Sequence, residues 1–125
     1  MKMILNDVLM LNDTLKAIID NDSDLKIDAL FKFRLLGIMK KLEIPVANFN
    51  IIKNDKIREY GKTDENGNIA ISPDDTENVK KFTDDLNTLL QSEVEADIEK
   101  INAKDVFGVG VPAEYLVRLY GIMEE

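Results

Sequence analysis

The stretch IDALFKFRLLGIMKKLEIPVANFNIIKNDKIREY, residues 27–60, decides the fold. Its apolar residues recur at alternating steps of four and three, which is the spacing of one helix face and, over three heptads, of a coiled coil. Pro45 lies inside this pattern, where it removes a hydrogen-bond donor and clashes with the carbonyl four residues earlier. The stretch therefore predicts a long helix over 27–60, either kinked or restarted at Pro45.

A turn follows the long helix. Gly61 matches a left-handed helix C-cap, and Asn66 with Gly67 match both central positions of a type I′ hairpin turn. We therefore expect a β-hairpin over 62–71.

The residues after this hairpin start another helix. Ser72 is the expected N-cap and Pro73 the first helical residue, which predicts a helix over 73–91. This helix and the long one form an antiparallel pair joined at the hairpin. The residues expected to pack between them or to meet a partner are Phe31, Leu35, Ile38, Leu42, Phe49, Ile52, Val79, Phe82, Leu86 and Leu89.

The two ends of the chain add shorter elements. An apolar stripe predicts a helix over 6–19 with Asn6 as its N-cap, and period-two alternation from Val94 predicts an extended segment over 94–107. Pro112 begins a terminal helix over 112–123. We expect a single domain over residues 1–125 that is mainly α with a small β-hairpin, an α+β fold.

The stretch DENGNIAISPDD, residues 64–75, offers an alternative as a calcium loop. Its oxygen ligands would be Asp64, Asn66, Asn68 and Asp75. The sharp turn of such a loop needs glycine at its sixth position, where this chain has Ile69. The same residues fit a hairpin turn and a helix start, so the hairpin is favoured over calcium.

Composition excludes several functions. The 125 residues include 24 acidic and 16 basic ones, giving a formal charge of -8, which disfavours binding to a phosphate backbone. Cys and His are absent, so thiol nucleophiles, imidazole bases and the usual transition-metal ligands are excluded. Apolar runs are too short to cross a membrane. We expect no enzyme activity, no cofactor, no nucleic-acid binding and no membrane insertion.

Ordered short motifs carry a resemblance. These are the opening M-K-x-x-L-N-x-x-L, the I-R-E-Y-G that ends the long helix, the turn D-E-N-G-N-I, the run D-D-L-N-x-L-L-x-S-E-V-E-A-D-I and a closing P-A-E-x-L. Together they resemble a family of small acidic proteins of tailed phages and prophages. That family usually has Ser or Thr where this chain has Val111, and usually lacks a proline like Pro45. The resemblance implies a helical hairpin and a phage origin, and it implies no catalytic residue.

These observations favour a non-enzymatic phage accessory or assembly protein that binds protein partners, with homo-oligomers among them because apolar positions lie on several helix sides. The expected location is the host cytoplasm, with association with the virion as an option. One alternative is a counter-defence or host-takeover protein that occupies a host enzyme by acidic mimicry or sequesters a small nucleotide. Another is an enzyme that uses carboxylates and a divalent metal.

Overall fold

The structure, a computed structural model, describes residues 1–21 and 27–124. It confirms a mainly helical α+β fold built around one long helix. The helices are α1 (Leu5–Asp20), α2 (Ala29–Tyr60), α3 (Thr76–Leu90), α4 (Ala103–Gly108) and α5 (Ala113–Leu119), followed by a 3₁₀ turn at Tyr120–Ile122. The strands are β1 (Lys2–Ile4), β2 (Lys62–Thr63), β3 (Ile69–Ala70), β4 (Glu93–Glu95), β5 (Ile101–Asn102) and β6 (Met123–Glu124).

The strands of the described residues pair as three two-stranded sheets. Strands β1 and β4 are antiparallel, with Met3 opposite Val94, so the residues before α1 are tied to those after α3. Strands β2 and β3 form the expected hairpin, with Lys62 opposite Ala70. Strands β5 and β6 run parallel, with Ile101 opposite Met123. Two of the three sheets therefore join segments far apart in sequence.

The hydrophobic core lies at one end of α2. It combines one face of α1, the first half of α2 and the segment from Ala96 to Ile122. Removing a Val, Leu, Ile or Phe side chain of this core from water stabilises the fold by about 1.5–3 kcal/mol. The buried apolar residues are Leu5, Val8, Leu11, Leu15, Ile18, Phe31, Leu35, Ile38, Leu42, Ala96, Ile98, Ile101, Val106, Val111, Leu119 and Ile122.

The second half of α2 extends beyond this core. None of its residues after Leu42 is fully buried, and neither is any residue of α3. Leu89 near the end of α3 and Phe49 of α2 pack against the core, whereas the β2–β3 hairpin closes the far end. We call this part of the molecule, α2 from Pro45 together with the hairpin and α3, the arm.

Helix α2 continues through Pro45 without interruption. It begins at Ala29 rather than at residue 27, because the Asp28 side chain accepts a hydrogen bond from the backbone N–H of Phe31 at 2.7 Å and so caps the helix. The restart of the helix at Pro45 that the sequence allowed does not occur. The missing N–H of Pro45 removes one backbone hydrogen bond, and the helix continues to Tyr60.

The predicted turn chemistry at the arm's tip was wrong in two respects. Gly61 has φ −89° and ψ 172°, which is extended rather than left-handed. Glycine is required there because a Cβ would lie 2.4 Å from the Ile57 carbonyl oxygen. The reversal is centred one residue earlier than expected, since the Gly67 N–H donates to the Asp64 carbonyl at 3.1 Å. Gly67, with φ +82°, follows that turn as a bulge.

Two predicted helix starts also differ from the structure. Asn6 does not cap α1, because residue 4 still pairs in β1 and the helix begins directly after it. Asp75, not Ser72, caps α3: its Oδ1 accepts from the N–H of Asn78 at 3.3 Å, and the helix begins at Thr76 rather than at Pro73. Ser72 instead accepts from the N–H of Asp74 within the preceding turn.

The C-terminal third contains more helix than expected. Residues 103–107, predicted as extended, belong to α4, because the Asn102 side chain accepts a hydrogen bond from the Lys104 N–H at 2.9 Å and caps a helix there. The predicted helix over 112–123 is shorter, since α5 ends at Leu119 and Met123 enters β6. These elements close the core around the first half of α2.

Candidate interaction surface on α2

The predicted packing residues divide between the core and the arm. On α2, Phe31, Leu35, Ile38 and Leu42 are buried, Phe49 is half-buried and Ile52 is 39% exposed. On α3, Val79, Phe82, Leu86 and Leu89 are all half-buried. The residues of this stripe up to Leu42 are thus buried in the core, and the later ones pack between the two helices of the arm.

A second apolar stripe runs along α2 on its solvent side. Leu30, Phe33, Ile44 and Ile51 are 60%, 74%, 71% and 59% exposed. At 3.6 residues per turn they fall within an arc of about 60°, roughly 150° from the buried face, along about 30 Å of helix. Gly37 lies on the same line with open space at its Cβ position. We call these four residues the outer stripe.

The outer stripe is a ridge between two grooves. On one side, a groove of about 530 Å³ separates Phe33 and Gly37 from residues 97–102. On the other side, a shallower groove of about 460 Å³ is lined by Leu36, Val46 and Ala47. A partner lying along this side of α2 would therefore find apolar surface on the ridge and on the flank that includes Leu36, and a largely charged and polar wall on the other flank.

Ion pairs span the first groove. Arg34 of α2 contacts Asp105 of α4 at 3.1 Å, and Lys41 contacts Asp97 at 3.4 Å. All four side chains are substantially exposed, so each pair contributes at most about 1 kcal/mol. They bridge the two walls on either side of Gly37, whereas the core packing of Ile98, Ile101 and Val106 holds the second wall in place.

A polar cluster joins the two helices of the arm. The Tyr60 hydroxyl donates to Asp85 Oδ2 at 2.6 Å, and Lys56 Nζ lies 3.5 Å from the same carboxylate. The Tyr60 hydrogen bond and the Lys56 charge lower the pKa of Asp85, and the same hydrogen bond raises the pKa of Tyr60 above its ordinary value. A hydrogen bond to Glu59 raises the pKa of Lys56. The cluster therefore favours ionised Asp85 and neutral Tyr60.

We expect the Y60F substitution to lower the unfolding free energy at neutral pH, because Asp85 loses its closest donor. Ionised Asp85 stabilises the fold above its ordinary pKa, and this contribution disappears as the pH falls through its lowered folded-state pKa. The difference between wild type and Y60F should thus shrink in acid. Urea denaturation from pH 7 to pH 2 measures it, with Y120F as the control because Tyr120 is 77% exposed. A difference that stays constant over this range would contradict the assignment.

The residues of the alternative calcium site serve the turn and the helix start. Asp64 Oδ1 accepts from the N–H groups of Asn66 and Asn68, each at 2.9 Å. Asp75 accepts from the backbone and the side chain of Asn78 at the start of α3. Within residues 1–21 and 27–124, no group of three or more acidic side chains is arranged to hold a metal ion. Hydrogen bonds within the turn and the helix start thus account for the carboxylate oxygens of Asp64 and Asp75.

The fold and this surface define a class: a small α+β protein with a long helical hairpin and an uncovered apolar helix face. Comparisons with models of protein families, with curated proteins and with solved structures found no match. In the described part of the chain, no helix combines the length and apolar character needed to cross a membrane.

The outer stripe was missed from sequence, although its signal is present. Leu30, Gly37, Ile44 and Ile51 recur every seven residues, and Phe33 lies three residues after the first of them. Both heptad series run along the same helix, and the series through Phe31 and Leu35 has more large apolar residues. The second series was therefore overlooked. The structure distinguishes the two series, because one is buried in the core and the other is exposed to solvent.

Proposed function

We propose that the protein is a non-enzymatic accessory or assembly protein that acts by binding a protein partner through the outer stripe of α2. The observation that carries this proposal is the exposure of four large apolar side chains on one line of a single helix. Aligned apolar residues of this kind mark interaction sites more often than singly scattered ones do. The phage setting rests on the sequence resemblance alone.

Charge pairing next to the outer stripe argues against acidic mimicry at this surface. A mimic of a phosphate backbone needs a face of unpaired carboxylates. Here Glu43 pairs with Lys40 at 2.8 Å, and Asp97 and Asp105 pair with basic residues of α2. The grooves beside the stripe thus present mixed charge around apolar surface, as protein interfaces do.

Affinity capture from the native host cells tests the proposal. We expect the tagged wild-type chain to retain a partner, which includes untagged copies of itself, and the I51E variant to lose it, because a carboxylate then enters an apolar contact. The matched control is V117E, which adds the same charge at a residue of α5 that is 77% exposed. Equal capture by wild type, I51E and V117E would remove the outer stripe as the binding site.

A further inference from the structure

We propose that the partner of the outer stripe is a second copy of the chain, whose α2 lies antiparallel along the first in a symmetric dimer. This inference rests on the proposed function, since it assigns an occupant to the same surface. It is carried by three features of α2: its heptad spacing, its charge distribution and the area that pairing would bury.

The heptad spacing fits pairing with an identical helix. Residues 30, 37, 44 and 51 occupy one heptad position, and residues 33, 40 and 47 occupy the position three residues later. These are the two positions that form the seam of a coiled coil. Helix α2 therefore has two seams: one packs into its own core, and the other is exposed.

One antiparallel register opposes large apolar residues to each other and small residues to each other, and it leaves Leu30 facing Asn54 of the second copy at either end. It places Phe33 opposite Ile51 of the second copy and Gly37 opposite Ala47 of the second copy. Ile44 then meets the aliphatic stem of Lys40 of the second copy, which keeps its charged end in water. Because a two-fold axis repeats each contact, three residue pairs give six layers.

Charge favours the antiparallel over the parallel orientation. Between residues 29 and 42, α2 carries Lys32, Arg34, Lys40 and Lys41 and no acidic residue. A parallel pair would place these basic segments side by side. The antiparallel pair opposes each of them to residues 42–55 of the second copy, where Glu43 and Asp55 outnumber Lys53. It also brings Asp55 next to Ala29 of the second copy, at the positive end of that helix's dipole.

The buried area suits a reversible dimer. Covering the outer stripe and its flanking Leu36 and Ala47 removes roughly 1,000 Å² from water over both copies, which is near the lower end of specific interfaces. The buried face of α2 lies roughly 150° from the outer stripe, so most of each core is turned away from the contact, and residues 97–102 flank the contact on one side. We expect a dissociation constant in the micromolar range, at the weak end for specific interfaces.

Sedimentation equilibrium of the purified chain from 1 to 500 μM tests the proposal. We expect wild type and V117E to dimerise across this range, and F33K and I51E each to weaken dimerisation by about 100-fold or more. Circular dichroism checks that the variants fold, which their exposed positions favour. A strictly monomeric wild type, or dimerisation unaffected by I51E, would overturn the proposal.

Orientation is tested by charge exchange. In the antiparallel register, residue 33 faces residue 51 of the second copy, so the double variant F33K/I51E and an equimolar mixture of F33K with I51E should both recover dimers. In a parallel pair each residue faces its own equivalent, and the double variant would dimerise more weakly than either single variant. That outcome overturns the antiparallel arrangement.

A monomeric wild type combined with stripe-dependent capture from cells would overturn this inference and leave the proposed function standing.

Discussion

The L42A substitution is expected to lower the free energy of unfolding by about 3 kcal/mol, within the range found for buried leucines. Leu42 is 0% exposed and is the last buried residue of α2 before the arm. Truncation removes apolar contacts and leaves a cavity that rigid neighbours on α1 and the C-terminal segment fill only partly. Urea denaturation followed by circular dichroism measures the loss.

The matched control for L42A is I44A, two residues further along the same helix. Ile44 is 71% exposed, so its truncation should change the unfolding free energy by less than about 0.5 kcal/mol when the protein is dilute enough to be monomeric. Both substitutions have alanine as the product, and thus share its high helix propensity. Equal losses for the two variants would show that the core and solvent faces of α2 are assigned wrongly.

The G61A substitution is expected to cost about 2 kcal/mol, because the added methyl group meets backbone and not a movable side chain. Its Cβ would lie 2.4 Å from the Ile57 carbonyl oxygen and 3.0 Å from the Ala70 carbonyl group. The Ile57 oxygen also accepts the Gly61 N–H at 2.7 Å, so relieving the clash strains the end of α2. Thermal and urea denaturation measure the effect.

At Gly37, inside the same helix, we expect an alanine substitution to raise stability, whereas G61A lowers it. Gly37 has open space where a Cβ would stand, and it lies in the middle of α2. The G37A substitution should therefore raise the unfolding free energy of the monomer by about 0.5–1 kcal/mol through helix propensity. If G61A left stability unchanged or raised it, as G37A is expected to do, close backbone approach at Gly61 would not be the reason for its glycine.

The helices could be predicted from sequence where the apolar spacing within a single segment indicates them. The stripe through Phe31, Leu35 and Leu42 was strong enough to indicate the long helix, and Asn66 with Gly67 indicated a reversal. Cap positions were harder, because Ser72, Asp74 and Asp75 are all good caps and only the tertiary position of α3 selects Asp75. Boundaries therefore moved by a few residues while the elements remained.

Contacts between distant segments could not be read from sequence. The pairing of β1 with β4 and of β5 with β6 depends on where the core brings those residues, and each strand is only two or three residues long. The period-two alternation at Val94 does mark strand β4, but the predicted extended segment continued to residue 107, beyond the end of that strand. Asn102 was the signal for α4, since its side chain caps that helix.

The candidate site was predicted only in part. Apolar surface for partners was expected, but on the stripe that includes Leu35 and Leu42, which the core covers. Which of two apolar faces on one helix stays exposed is decided by packing with α1 and the C-terminal segment, and the sequence pattern of α2 alone does not contain that information.

The position of Pro45 has a consequence for how the molecule opens. It removes one backbone hydrogen bond from α2 three residues after Leu42, where the buried residues of that helix end. Beyond it, the arm is held by half-buried apolar contacts and the Tyr60–Asp85 hydrogen bond. We therefore expect the arm to open locally more often than the core, so that amide hydrogen exchange along α2 is faster after Pro45 than before it.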